Sequence, residues 1–377
     1  MLERDLNVAG VDLDRSVYCL FGIPVDALSF QDAMAELKRA VANGVRCVWS
    51  TPNLNHLTSC LKSSEFRDIL GKSHLSTVDG MPLVILSRLL GIPIRERVPG
   101  STVFDEMMSG AAGPLKVYFF GGPDGAAARA SQRLVELSPF VQGAGHFSPG
   151  YGSIESMSKP EILEDINSSG ADLLVLALNA KRGHSWISVN APRLNVPVIS
   201  HLGSVINFVA GTVQRSPGLL QKTGLEWLWR IWEEPYLASR YRKDFVDLAK
   251  LVVTRVLPLL MLDPLVKFVG SGSRSLRLAT EVDNGQTILA LGGRVSAVHL
   301  GEVRETLKRH IECPGELVVC LKEASYVDAA LLGLLIIARG WRMERGLPVR
   351  IRAPQRSAVR GLIHLHCADY LIGAGGD

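Results

Sequence analysis

A chain of 377 residues, 47% hydrophobic and 21% charged, has ample material for packed cores, so disorder is excluded as its main organisation. Treating length over roughly 150 as a soft prior suggests two or three domains, and a net charge of +4 is too mild to mark a nucleic-acid binder. The six cysteines form no Cys-x-x-Cys pair and no histidine spacing resembles a zinc site, so the cysteines read as reduced thiols in the cytoplasm.

The first six residues carry no apolar core of signal-peptide length. From Val17 to about Ala210, short β-branched runs alternate with helical stretches, which is the pattern of an α/β fold with a parallel sheet flanked by helices. The spacing predicts strands over 46–50, 115–120, 173–178 and 196–201, and helices over 29–43, 82–90 and 125–137.

Two short runs place polar groups where apolar segments end: Thr51-Pro52-Asn53 after the first strand, and Val78-Asp79-Gly80 after the short apolar run 75–78. In an open α/β sheet the carboxyl ends of the strands line the ligand crevice, so Asn53 and Asp79 are candidates to face one another there. Taken singly, each also reads as an ordinary helix entry or turn. Pro82 suits a helix's first turn, which puts Asp79 near a helix N-terminus that favours an ionised carboxylate. Phe119-Phe-Gly-Gly-Pro-Asp-Gly125, between a strand and a helix, is a weak candidate for receiving an anion and at least as much a structural turn. The strand at 173–178 runs into Asn179-Ala-Lys181-Arg182-Gly183-His184, a candidate diphosphate cradle or else a solvated loop.

Three of the six tryptophans, Trp227, Trp229 and Trp232, cluster just ahead of Arg240, Arg242 and Lys243. Leu225, Leu228, Trp229 and Trp232 share one helical face, Glu226 and Arg230 are spaced as an i,i+4 pair, and Pro235 ends the helix. Aromatic rings beside basic residues suit an anionic membrane surface, although such a stripe is also ordinary core. The apolar run at 256–262 is far shorter than the roughly 20 residues of a spanning helix. Residues 268–276 have linker composition. Beyond them the pattern predicts strands at 286–291, 316–321 and 348–352, and helices at 299–311 and 329–344.

Residues from about Val17 to Phe245 resemble the WecG/TagA/CpsF family of bacterial glycosyltransferases. The matching signatures include Gly22-Ile-Pro-Val, Thr51-Pro-Asn53, Asp79-Gly80, Arg95-Glu-Arg97-Val-Pro-Gly100, Gly150-Tyr151, Arg215-Ser-Pro217 and Gly224-Leu-Glu-Trp-Leu-Trp-Arg230. The resemblance implies a Rossmann-like domain with a helical, membrane-docking appendage. It implies an inverting, metal-independent enzyme without a cofactor, which moves a sugar from a UDP-sugar donor to a lipid-linked, undecaprenyl-diphosphate acceptor in exopolysaccharide or cell-surface polysaccharide synthesis. On that reading Asp79 is the general base, Thr51 and Asn53 hold sugar hydroxyls, and Arg97, Arg230 and Arg240 offset charge on the leaving diphosphate. Tyr151, Lys181, Arg182, His184 and Arg215 complete the substrate-binding set. The chain departs from the family's usual Gly-x-Pro-Lys-Gln-Glu run, having Gly183 for the glutamine and His184 for the glutamate. Asn207 and Leu237 are further departures.

Residues 276–372 resemble a small α/β STAS domain through Leu291-Gly-Gly-Arg-Val and Tyr326-Val-Asp328-Ala-Ala-Leu-Leu-Gly. The serine that often follows this aspartate is Ala329 here, which excludes phosphoryl switching at that position and leaves a protein partner or small ligand as the tail's target. The expected division is a glycosyltransferase domain over 1–218, an appendage over 219–267, a linker over 268–276 and the STAS-like tail over 277–377. The expected location is the cytoplasmic face of the inner membrane, held peripherally. The competing class is a non-catalytic regulator that binds nucleotide sugar or lipid-linked glycan and signals through its tail.

Overall fold

In the computed structural model, which describes residues 12–269, 276–283 and 285–372, the chain opens with an antiparallel hairpin of β1 (Val17–Leu20) and β2 (Ile23–Asp26). Leu20 pairs with Ile23, so Phe21 and Gly22 alone make the turn, at φ +49° and +86°. Positive φ at both central residues matches the twist of a two-residue hairpin.

Six strands then form one sheet: β3 (Cys47–Ser50), β4 (Leu75–Ser76), β5 (Leu115–Gly121), β6 (Val141–Phe147), β7 (Leu173–Ala177) and β8 (Val198–His201). Their order is β4-β3-β8-β7-β5-β6, and every neighbouring pair is parallel. Val117 and Phe119 enter the apolar cluster on one face, Tyr118 and Phe120 that on the other. Burial on both faces is why these strands read as continuous apolar runs rather than alternating ones. The four strands and three helices predicted between residues 29 and 201 are found with ends moved by one or two residues. β6 escaped prediction because Gly143 and Gly145 interrupt it. A Cβ on Gly145 would lie 2.6 Å from the Tyr118 ring, so the edge strand needs glycine to close on the sheet.

The appendage consists of the helices Gly218–Thr223, Glu226–Glu233 and Leu237–Leu251, the last continuing through a π-helical turn, Val252–Val256, into Leu257–Val269. Among the described residues no helix is long and apolar enough to cross a membrane. The predicted linker lies largely outside the described residues.

A second sheet contains β9 (Arg277–Asp283), β10 (Gln286–Val295), β11 (Glu316–Cys320), β12 (Ala324–Val327) and β13 (Val349–Arg352). β10 pairs in parallel with β11 and β12, β11 does so with β13, and β9 folds back antiparallel along β10. Its central helix, Ala329–Glu344, packs onto the N-terminal part of the chain at backbone distance. A Cβ on Gly333 would lie 2.6 Å from Tyr18 Cα, and one on Gly340 would strike the Gly71 carbonyl. The Tyr370 hydroxyl donates to the Gly22 carbonyl at 2.9 Å, and Arg67 donates to that of Cys367 at 3.1 Å. One apolar cluster thus runs from Leu20 and Phe66 through to Leu334 and Ile363.

Candidate active site

The carboxyl ends of β3, β4, β5, β7 and β8 open into a cleft of about 830 Å³, roofed by the appendage residues Glu226, Trp227, Arg230 and Arg240. Ligands of open α/β sheets bind at this edge. The loops after the adjacent strands β3 and β4 are tied directly, since the Asp79 N–H donates to the Pro52 carbonyl at 2.8 Å. Thr51, Asn53 and Asp79 all line the cleft, and a Cβ on Gly80 would sit 3.7 Å from that of Asn53. Asn53 is also the cap of the helix Leu54–Cys60, its Oδ1 accepting from the backbone of Asn55 at 3.0 Å and of His56 at 3.3 Å. Helix entry and site are therefore the same residue.

Asp79 does not behave as the helix dipole suggests. No side chain caps the helix Met81–Leu89. Burial first, and then the Glu226 carboxylate, push the Asp79 carboxyl up to about 7, while Arg97, Arg230 and Arg215 pull it back. Loss of hydration outweighs the partial charge of a helix end here.

Arg97 donates to both carboxylate oxygens of Glu226, Nη2 to Oε1 at 3.0 Å and Nη1 to Oε2 at 3.2 Å, and also to the Gln221 carbonyl. The predicted Glu226–Arg230 pair is thus replaced: Arg230 bonds Glu234 at 3.2 Å instead, because Glu226 turns inward to Arg97. Arg215 pairs with Asp105 and bonds Thr102 Oγ1 at 3.0 Å, beside the cleft rather than lining it. Arg182 lines the cleft and bonds the Gly152 carbonyl, while Tyr151 stands fully exposed at the rim.

Two members of the proposed cradle are misplaced. Lys181 points away from the cleft to Glu65, at 3.4 Å, and His184 is buried behind its wall, where burial and the neighbouring His56 and His201 keep its pKa well below the ordinary histidine value. Both sit in the first turns of the helix Ala180–Asn190, whose rotation carries these two side chains off the cleft face.

The sequence model of the WecG/TagA/CpsF glycosyl transferase family matches residues 18–259, which span the parallel sheet, the cleft and most of the appendage. The chain belongs to this family. It is a glycosyltransferase. Its relatives include the N-acetylglucosaminyldiphosphoundecaprenol N-acetyl-beta-D-mannosaminyltransferase of Bacillus spizizenii, 24% identical over 231 residues, or 58% of this chain and 85% of the relative. Proteins of the same name from Bacillus subtilis (23% over 204 residues, 54% and 78%) and Staphylococcus aureus (22% over 235 residues, 61% and 87%) are similar in extent.

In this glycosyltransferase three cleft groups went unassigned from sequence. Glu226 reads in the sequence as an i,i+4 partner of Arg230, and nothing local distinguishes it from Glu233 or Glu234. His56 and His201 also face the cleft, and His184 meets them from behind, so one nitrogen of each ring lies within 4.8 Å of the others. Separated by 128 and 17 positions, the three histidines leave no spacing signal, in keeping with the absence of a zinc-like spacing in the sequence.

Proposed function

We propose that this glycosyltransferase moves an N-acetylhexosamine from a UDP-sugar to an undecaprenyl-diphosphate-linked sugar, with inversion at the transferred carbon. Asp79 takes the proton of the acceptor hydroxyl as that oxygen attacks the anomeric carbon, and the bond to the diphosphate breaks to release UDP. The observation that carries this reading is Asp79 in the cleft, on the loop that follows β4 and is tied to Pro52 beside Thr51 and Asn53; burial pushes its carboxyl up to about 7. A base is most useful when its pKa lies near the working pH.

Thr51 and Asn53 hold sugar hydroxyls beside Asp79, and Tyr151 and Arg182 meet the nucleotide end. Arg97, Arg230 and Arg240 converge on the cleft from different elements, and Arg215 adds positive charge beside it, so developing negative charge on the diphosphate is met by fixed cations. Diphosphate oxygens replace the Glu226 carboxylate on Arg97, both being two-pronged acceptors for a guanidinium. The names of the relatives point to N-acetylmannosamine as the sugar moved and to N-acetylglucosaminyl-diphosphoundecaprenol as its acceptor.

The appendage supports peripheral attachment to the cytoplasmic face of a membrane. Trp232, Tyr236, Met261 and Phe268 are each at least 70% exposed, and none of the helix Glu226–Glu233 is buried. The tail is proposed as a STAS-like module for a protein partner or small ligand. Asp328 of its signature caps the helix Ala329–Glu344, accepting from Ala330 at 3.1 Å and Leu331 at 3.0 Å.

The test is transfer of radiolabel from UDP-N-acetylmannosamine, then from other UDP-sugars, to a short-chain prenyl-diphosphate N-acetylglucosamine. Product is expected from the wild type and not from Asp79→Asn. Undiminished transfer by that variant overturns the assignment of the base.

A further inference from the structure

His56, His184 and His201 reach one point from three elements: the helix Leu54–Cys60, the helix Ala180–Asn190 and the end of β8. His56 Nε2 and His184 Nε2 are 3.2 Å apart. Two ligands of a tetrahedral ion, each at about 2.0–2.1 Å, sit roughly 3.4 Å from one another, so this spacing suits a shared ion as well as a hydrogen bond.

The surroundings fix how the His56 ring presents itself. Asn53 Oδ1 is identified as the amide oxygen by the two backbone N–H groups that it accepts, and it lies 2.9 Å from His56 Nδ1. An acceptor-only atom at that distance requires the proton on Nδ1, and the Asn53 N–H, 3.4 Å from the same nitrogen, is too distant to reverse this. The lone pair of His56 is therefore on Nε2, facing His184. The carbonyl of Leu178 likewise holds His201, accepting from Nε2 at 2.7 Å. Outer hydrogen bonds of this kind orient metal-binding imidazoles.

Phe66 walls the cluster, its ring centroid 6.0 Å from that of His56 and 5.7 Å from that of His184. Gly183 lacks the Cβ that would strike the His201 ring. The adjacent residues Gly183 and His184 thus serve one cluster, the first by leaving room for His201 and the second by supplying a nitrogen.

We propose that His56, His184 and His201 bind one divalent transition-metal ion, zinc foremost, through one imidazole nitrogen each. Nitrogen donors favour Zn²⁺, Co²⁺ or Ni²⁺ over Mg²⁺ and Ca²⁺, which take oxygen ligands. His56 and His201 line the cleft, so the cluster lies directly beside the candidate active site.

The full-length chain, stripped with a chelator and titrated with Co²⁺, is expected to take up one ion per chain, with the intense visible absorption of four-coordinate Co²⁺. Zinc competes with the cobalt and magnesium does not. His184→Gln and His201→Gln each weaken binding by more than about 100-fold, because loss of an outer partner alone costs roughly 10–100-fold. X-ray absorption of the zinc-loaded wild type, which depends on no variant's folding, is expected to show imidazole ligation. Absence of stoichiometric Co²⁺ or Zn²⁺ uptake, a ligand set without imidazole, or wild-type affinity in both folded variants overturns the proposal and leaves three hydrogen-bonded core histidines.

Discussion

Arg97 holds Glu226 by two parallel hydrogen bonds, 3.0 and 3.2 Å long, and so pins the appendage helix Glu226–Glu233 across the mouth of the cleft that contains Asp79. Both side chains are mostly shielded from solvent, at 15% and 24% exposure, so the pair is more than a surface contact. The same carboxylate pushes the Asp79 carboxyl up, so the position of this helix bears on the proton affinity of the base.

Replacing Arg97 therefore tests geometry as well as charge. Arg97→Lys keeps the charge but cannot make the two-pronged contact. We expect it to lose roughly 10²–10³-fold in kcat/KM, nearly as much as Arg97→Ala, as expected for a preorganised donor. Steady-state kinetics checks this; near wild-type activity in Arg97→Lys counts against the clamp.

Glu226→Gln removes a neighbouring negative charge and frees Arg97, and both changes favour ionised Asp79. The acid limb of the kcat/KM profile, expected near pH 7 in the wild type, should move to lower pH. A limb that stays in place shows that another group controls it.

Asp79→Asn is expected to lower kcat by roughly 10²–10⁴-fold, the usual worth of a positioned base. It also has a stability signature. A carboxyl whose folded-state pKa of about 7 exceeds its ordinary 3.8 binds its proton more tightly when native, so native stability falls as pH rises between those values. The variant lacks this loss. Its advantage over wild type in chemical denaturation should be absent near pH 3.5 and grow until about pH 7.

Gly333→Val places a side chain where even a Cβ would be 2.6 Å from Tyr18 Cα. Overpacking of this kind costs about 1–3 kcal/mol or more, and limited proteolysis should then release the tail. A chain ended at Val269 uncovers apolar residues around Leu20 and Phe66 and is expected to aggregate. A soluble, active truncation would show instead that the docked tail is dispensable.

Trp232, 70% exposed, belongs to the apolar surface of the appendage. Trp232→Glu is expected to weaken co-sedimentation with vesicles containing anionic lipid, with transfer to a water-soluble acceptor largely kept. Unchanged sedimentation argues against this face as the membrane contact.

What the chain determined by itself was local. The apolar runs of β5 and β7, the helical spacing over 29–43, and the Thr51-Pro-Asn53 and Asp79-Gly80 endings of neighbouring strands are legible because strand, helix and turn preferences act between residues close in sequence. The order of those motifs sufficed to indicate the family. Tertiary structure alone decided which groups meet. It turned Glu226 to Arg97 across 129 positions, drew Lys181 to Glu65, gathered His56, His184 and His201, and laid Gly333 on Tyr18. It also reversed the expectation for Asp79. Burial and through-space charge depend on neighbours that only the folded chain supplies, so no local pattern around Asp79 could reveal a carboxyl titrating near neutrality.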